Sequence, residues 1–278
     1  MFESSGKKIL EEKLLSFISR GKTIKFVLPA FPCKSPNVKD KVLGVLPDKG
    51  EEVALNNLSA FCNKIKLVYS PGCELVIVSD GRVFADIVGV PDEIVSLYDF
   101  SLRELSTGSS IKFISLDDFF SLNTSDDMRQ KLLQLYGKSL EEIRKEILTS
   151  EDKRKLYCGL TRFLVEDTGL VEDKSKSTVQ KECKTKALSM MQRNSAYSAL
   201  VKEKLPDHIR LSIHPHSNAG EKFGINLISC GDEWGTPWHN VAVKMKNGVY
   251  KLIKRREAEA LGYGLVEENG RPSYFVEV

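Results

Sequence analysis

Four short stretches concentrate the residues able to do chemistry. The first is Leu28–Asp48 (LPAFPCKSPNVKDKVLGVLPD), where Pro29, Pro32 and Pro36 punctuate a segment carrying Lys34, Ser35 and Asn37. Proline fixes φ and removes a backbone donor, so such a segment is rigid without being helical. Lys34 reads most simply as a solvated lysine on a proline-rich loop. Alternatively it holds an anionic group, or forms a Schiff base with a carbonyl if desolvation lowers its pKa. Its neighbour Cys33 offers a thiol nucleophile as a minor option. The second stretch is Ser79-Asp80-Gly81-Arg82, with Asp86 beyond it. Asp80 and Asp86 can orient an amine or act as general bases, and Arg82 can grip a phosphate or carboxylate in bidentate fashion. A plain Asp-Gly turn with Arg82 paired to a neighbouring carboxylate fits equally well.

The third stretch is Arg210-Leu-Ser-Ile-His214-Pro-His216. Strand alternation places Arg210, Ser212 and His214 on one face. His214 and His216 have a spacing that can bind metal if a carboxylate joins them. No HxD or HExxH pattern accompanies them, which favours acid/base work or phosphate contacts and no metal. The fourth is Trp234-Gly-Thr-Pro-Trp238-His239, which holds both tryptophans of the chain. Such a loop can wall an apolar pocket for an amino-acid side chain, or anchor itself on the core through a packed Trp. Neither GxGxxG nor a Walker A motif occurs, which lowers the case for a nucleotide-dependent enzyme.

The elements that must position these residues alternate between strand-like and helical patterns. Ile24–Leu28, Leu75–Val78 and Ile111–Ile114 read as buried strands, and Val83–Val88 as a further strand candidate. Asp80 directly follows the second of these runs, and Lys34 lies just beyond the first. Ligands of open α/β sheets bind beyond the carboxyl ends of strands. The pattern over Asp92–Leu105 predicts an amphipathic helix, and Ser139 with Glu142 fits a capping box. Lys153–Val165 and Thr178–Lys204 are helical, parted by the polar stretch Glu166–Ser177. That stretch reads as a linker, and secondarily as an active-site lid. Strands return at Arg210–Ile213 and Ile225–Ser229. Val241–Met245 and Val249–Ile253 flank Asn247-Gly248, a strong hairpin signal. A short helix, Arg255–Leu261, precedes a last hairpin at Asn269-Gly270. The whole predicts a mostly parallel, helix-covered sheet with a C-terminal β-hairpin region, in one domain spanning 1–278 with residues 120–205 as a candidate helical subdomain.

Composition narrows the function classes. The 278 residues are 41% hydrophobic and 28% charged, enough to bury a substantial core, and the net charge of +3 argues against a nucleic-acid binder with a broad basic face. No apolar run approaches the ~20 residues that cross a bilayer. The N-terminus lacks a signal-peptide centre, so a cytoplasmic location without membrane association is expected, with the N-terminus forming a first helix. Cys33, Cys62, Cys73, Cys158, Cys183 and Cys230 form no CxxC pair and read as reduced, unpaired thiols.

Taken in order, LPAFPCKSPNVKDKVLGVLPDKGEEVAL, VIVSDGRVFADIVGV, RLSIHPH, TPWHNVAV and GRPSYF resemble the pyoverdine/dityrosine biosynthesis family, the isocyanide synthases. The resemblance runs from about residue 24 to the C-terminus, and residues 120–205 contribute nothing to it. It implies a Rossmann-like fold and a reaction with no cofactor. In that reaction the amine of an L-amino acid, commonly tyrosine or tryptophan, condenses with ribulose 5-phosphate. Sugar C2 then becomes the isocyanide carbon. The yeast-type branch makes an N-formyl derivative instead, and a non-catalytic amino-acid or sugar-phosphate binding subunit is the third option. On this resemblance Lys34, Asp80, Asp86, His214 and His216 are the candidate catalytic residues. Ser35, Asn37, Arg82, Arg210, Ser212, Trp238 and His239 are the candidate substrate contacts. Small molecules are the expected partners, with a downstream tailoring enzyme such as an iron(II)/2-oxoglutarate oxygenase compatible with the product.

Overall fold

The computed structural model describes residues 5–169, 174–213, 222–228 and 235–278. Five strands, β1 (Ile24–Pro29), β2 (Cys73–Val78), β3 (Ile111–Ile114), β4 (Ile209–Ser212) and β5 (Lys222–Gly224), form one parallel sheet in the order β3-β2-β1-β4-β5. Side chains alternate across a strand, so each run feeds two cores. Phe26, Leu28, Leu75 and Ile77 pack on one face with Leu55 and Leu58 of α2 (Lys49–Val68) and Tyr98 and Leu102 of α4 (Asp92–Leu105). Val27, Val76 and Val78 pack on the other with Leu132 of α6 (Ser125–Tyr136) and with Tyr197 and Leu200 of α9 (Lys176–Lys204). Covering both faces explains why these strands read as near-continuous apolar runs. The chain steps outward through β2 and β3, then returns past β1 to β4 and β5. The direction switches between β1 and β4, and ligands of such sheets bind in the crevice expected beyond the carboxyl ends of the strands at that point.

The first helix, α1 (Ser5–Ser19), lies where its amphipathic pattern predicts. Val83–Val88 is not the expected strand. It belongs to α3 (Gly81–Val88), which buries Val83, Ala85 and Ile87. Its β-branched content mimics a strand, but Val83 and Ile87 stand four apart, on one side of a helix. Ile225–Ser229 is the second correction. The strand is Lys222–Gly224, and Ile225–Ile228 lies beyond it, with Leu227 and Ile228 buried and the Leu227 carbonyl accepting from Asn57 Nδ2 at 2.7 Å. Among the described residues of this run only the Ile225 N–H still pairs with β4, donating to the Ser212 carbonyl at 2.8 Å, and the apolar residues that follow it signal burial; Ser229 itself lies outside the described residues. After the short α5 (Leu116–Phe119), helices α6, α7 (Leu140–Thr149), α8 (Glu151–Thr168) and α9 build the wall over one sheet face. The capping box of α7 forms as expected, Ser139 Oγ accepting from the Glu142 N–H and Glu142 Oε2 from the Ser139 N–H.

The C-terminal strands β6 (Val241–Lys244), β7 (Tyr250–Ile253), β8 (Gly264–Glu268) and β9 (Arg271–Val276), with α10 (Arg255–Ala260), form a second sheet in the order β7-β6-β9-β8. Both expected hairpins are present. Asn269 and Gly270 take φ of 54° and 73°, the left-handed pair that a tight two-residue turn demands. A parallel β6–β9 pairing fuses the hairpins, and the loop feeding β6 delivers Trp238 and His239 to the first sheet. None of the described helices is long and apolar enough to cross a membrane.

Candidate active site

The segment after β1 is clamped from three sides. Phe31 adopts φ of 60°, unusual for a bulky residue, and is completely buried. Its carbonyl accepts from Ser79 Oγ at 3.1 Å, and its ring meets Trp238 at 5.0 Å between centroids. The Pro32 carbonyl oxygen lies against Gly81, where a Cβ would come within 2.0 Å of it. Ser35 N–H donates to the Trp238 carbonyl at 2.8 Å. Trp238 is 3% exposed, so it anchors this loop on the core and does not wall an open pocket.

Lys34 sits under the loop, not on it. Its side chain has no exposed surface, and Nζ lies 2.8 Å from both Asp48 Oδ2 and Glu51 Oε2. Nζ also donates to the Pro237 carbonyl at 2.9 Å, which engages all three donors of an ammonium. Burial works to depress the Lys34 pKa, but Asp48 and Glu51 outweigh it and hold the ammonium above its ordinary value. Burial pushes the Asp48 carboxyl up, against the pull of Lys34. The surface-lysine expectation is therefore wrong. A neutral amine for imine formation and a direct phosphate contact both lack a route to Nζ in this geometry. Asp48 and Glu51 are also the capping box of α2, and Tyr98 donates to Glu51 Oε1 at 3.0 Å. Lys34 thus staples the loop to a helix start and positions what lies above it.

Asp80 stands at the carboxyl end of β2, with φ −103° and ψ 12°, in the sparsely populated bridge region. It occupies the N-cap of α3 yet makes no capping bond with its side chain. Its Oδ1 is shut off from solvent and has no hydrogen-bond partner among the described residues. Burial lifts the carboxyl to about 7, opposed by its own backbone N–H and by the Arg210 guanidinium. Arg210, half-buried on β4, donates from Nη1 to Ser198 Oγ at 2.7 Å. Tyr197 donates to the Val78 carbonyl at 2.8 Å, and burial followed by Asp80 keeps its phenol protonated. A carboxyl poised near neutrality at a strand end, one strand from the switch point, is suited to general-base work. Ser212 ends β4 beside Gly224.

A second polar cluster joins the loop to the end of α8. Ser35 Oγ donates to Asp167 Oδ1 at 2.7 Å, and Lys41 Nζ bonds the same oxygen. Asn37 Nδ2 donates to the Glu166 carbonyl at 2.8 Å. His239 has Nε2 4.0 Å from Asp167 Oδ2 and Nδ1 3.0 Å from Thr236 Oγ1, with its ring against Phe163. Burial raises the Asp167 pKa, against the pull of Lys41 and Ser35. Glu166 and Asp167 open the polar stretch expected to be a linker. They belong instead to the last turn of α8 and the buried network, because Lys41 and Ser35 supply the partners a buried carboxylate requires. Nothing in the local pattern marks them.

Arg82 and Asp86 are not brought to this crevice. On a helix, residues four apart share a side, and here that side turns toward α6 and α9. Arg82 pairs with Asp117 and donates to Ser125 and Ser96. Asp86 is gripped by Arg193 and approached by Arg129. Burial pushes its carboxyl up, but Arg193 and then Arg129 outweigh that and hold it below its ordinary value. Neither faces Asp80's crevice, so both serve the packing of α3. Cys33 is buried, and burial followed by Asp80 and Asp167 drives its thiol far above the usual range, which rules against a nucleophilic thiolate. Cys62, Cys73, Cys158 and Cys183 are free as well. His214, His216, Trp234 and Cys230 lie outside the described residues. Among the described residues no group of three His, Cys, Asp or Glu is placed to hold a metal.

Fold and site together define a doubly covered parallel α/β architecture with an arginine on β4, at the switch point, and a titratable carboxylate at the end of β2, one strand away. Residues 14–266 match the family described as pyoverdine/dityrosine biosynthesis protein. The L-tryptophan isonitrile synthase AmbI2 of Fischerella ambigua is 44% identical over 95% of this chain and 81% of its own length. The L-tyrosine isonitrile synthase of Pseudomonas aeruginosa is 41% identical over 95% of this chain and 82% of its own. The crystal structure of PvcA from Pseudomonas aeruginosa superposes with a TM-score of 0.92 at 39% identity, covering 98% of this chain and 90% of that one. The chain belongs to the pyoverdine/dityrosine biosynthesis family and is an isonitrile synthase of that family.

Proposed function

We propose that the chain converts the α-amino group of L-tryptophan or L-tyrosine to an isocyanide, with ribulose 5-phosphate as carbon donor. One observation carries the chemistry: the Asp80 carboxylate, whose inner oxygen has no partner among the described residues and whose pKa lies near 7 beside Arg210. Joining an amine to a ketone and then fragmenting the sugar requires repeated proton transfers at one place. A carboxyl balanced between its two forms at neutral pH serves both directions. The isonitrile synthases at 44% and 41% identity supply the support for an aromatic amino acid. In this reading Asp80 moves the protons, Arg210 holds an anionic substrate group and Lys34 keeps the loop in place. The product enters secondary metabolism, where a tailoring enzyme such as an iron(II)/2-oxoglutarate oxygenase consumes it.

The test is incubation of the purified chain with tryptophan or tyrosine and ribulose 5-phosphate labelled with carbon-13 at C2. Mass spectrometry should place the label in the isocyanide carbon, and tetrazine trapping should distinguish it from a formamide. Failure of both amino acids to give any labelled isocyanide would overturn the proposal.

A further inference from the structure

The strand β5 enters the sheet at Lys222, whose register partner on β4 is Arg210. Neighbouring strands run about 4.8 Å apart, and register partners project to the same face. That face is the one covered by α9. Arg210 is bonded to Ser198 there, and its partner on β1, Val27, packs with Tyr197 and Leu200. Lys153 of α8 adds a third positive charge to the surroundings of Lys222. The charges acting on the Lys222 ammonium are those of Arg210 and Lys153, and its side chain has no ion pair or hydrogen bond with a described residue. Like charges set opposite each other across a strand pair are destabilising. Partial burial of both residues weakens the screening that would relieve them. Burial, then Arg210, then Lys153, lower the Lys222 pKa to about 8. The Lys222 ammonium is therefore the charge of this arrangement that an anion would stabilise.

We propose that Lys222, side by side with Arg210 across β4 and β5, binds the phosphate of the sugar-phosphate substrate. The inference rests on the isocyanide synthase reading and names the subsite within it. A phosphate monoester carries nearly two negative charges at neutral pH. It matches a group of cations better than the single charge of an amino-acid carboxylate does. Strand order sets Arg210 between Asp80, at the end of β2, and Lys222 on β5. A sugar phosphate anchored at Lys222 therefore extends past the guanidinium toward the carboxyl that moves protons.

Calorimetric titration of ribulose 5-phosphate, inorganic phosphate and L-tryptophan into wild type and Lys222→Gln tests this without turnover. Lys222→Gln should weaken sugar-phosphate binding roughly 10- to 100-fold, the loss of one charge-assisted contact. Tryptophan affinity should be unchanged, inorganic phosphate should compete with the sugar phosphate in wild type, and Lys222→Arg should retain most of the affinity. The urea midpoint of Lys222→Gln should equal or exceed that of wild type, because the variant removes a repulsion. Unchanged sugar-phosphate affinity in Lys222→Gln overturns the proposal. So does a loss confined to tryptophan, or a midpoint that falls with the affinity. If ribulose 5-phosphate binds through Lys222 but no isocyanide is ever formed, the reaction reading fails and the subsite stands.

Discussion

Replacing Lys34 by methionine keeps an unbranched apolar stem and removes the charged terminal nitrogen. Asp48 and Glu51, 8% and 0% exposed, would then face each other with no cation between them. The remaining donors are the Gly50 N–H to Asp48 Oδ1 at 2.9 Å, the Asp48 N–H to Glu51 Oε2 at 3.0 Å and the Tyr98 hydroxyl to Glu51 Oε1. Breaking a buried pair by removing one partner costs about 3–5 kcal/mol, on the order of 10 °C in melting temperature for a chain of this size. The stranded carboxyls respond by taking up a proton. Their folded pKa then lies above the unfolded value, so the penalty is small near pH 5 and grows as pH rises toward 8. Thermal melts of Lys34→Met at both pH values measure this directly. A second change, Glu51→Gln, should recover part of the loss by removing one of the two stranded charges. If Lys34→Met melts with wild type at pH 8 yet makes no product, the lysine meets substrate and the positioning argument is wrong.

Two further outcomes concern the crevice. Asp80→Asn should lower kcat by roughly 10²- to 10⁴-fold, the usual share of a general base. Because the folded pKa of Asp80 is raised to about 7, its ionised form costs stability above the ordinary carboxylate range, a cost that vanishes on acidification. The Asn variant should therefore equal or exceed wild type in melting temperature at pH 8, and the kcat/KM of wild type should climb through about pH 7. A pH-independent profile would remove Asp80 from the proton transfers. Gly81→Ala would set a Cβ 2.0 Å from the Pro32 carbonyl oxygen and 2.7 Å from Val95 Cγ1. Backbone cannot yield as a flexible side chain does, so urea unfolding should show a loss of roughly 3 kcal/mol, at the upper end of overpacking.

Much of the fold was legible locally. The strands β1 to β3, the helix α4, the α7 capping box and both Asn-Gly hairpins arise from apolar period and turn chemistry, which act over a few residues. The two misreadings have one cause. Val83, Ala85 and Ile87, like Leu227 and Ile228, are apolar because they are buried, and burial alone does not choose between helix, strand and loop. Asp80 was readable as a carboxylate at a strand end. Arg82 and Asp86 were not separable from it, because their direction depends on whether the following segment is strand or helix. Asp48 with Glu51 carries the Asp-x-x-Glu spacing of a capping box, the one local signal from which the start of α2 could have been read, and it went unused.

Sequence by itself determined the family, the α/β class and the residue types available for proton transfer, since these rest on patterns that survive without contacts. Tertiary structure decided what each charge does. Lys34 became a buried staple because α2 begins with two carboxylates placed beneath the loop. Asp86 was lost to Arg193, from the long helix α9. Asp167 was recruited from 126 positions away by Lys41, and Lys222 met Arg210 only through the register of β4 and β5. Charge acts through space over a few ångströms, and the sequence distance between two residues says nothing about that separation until the sheet is assembled.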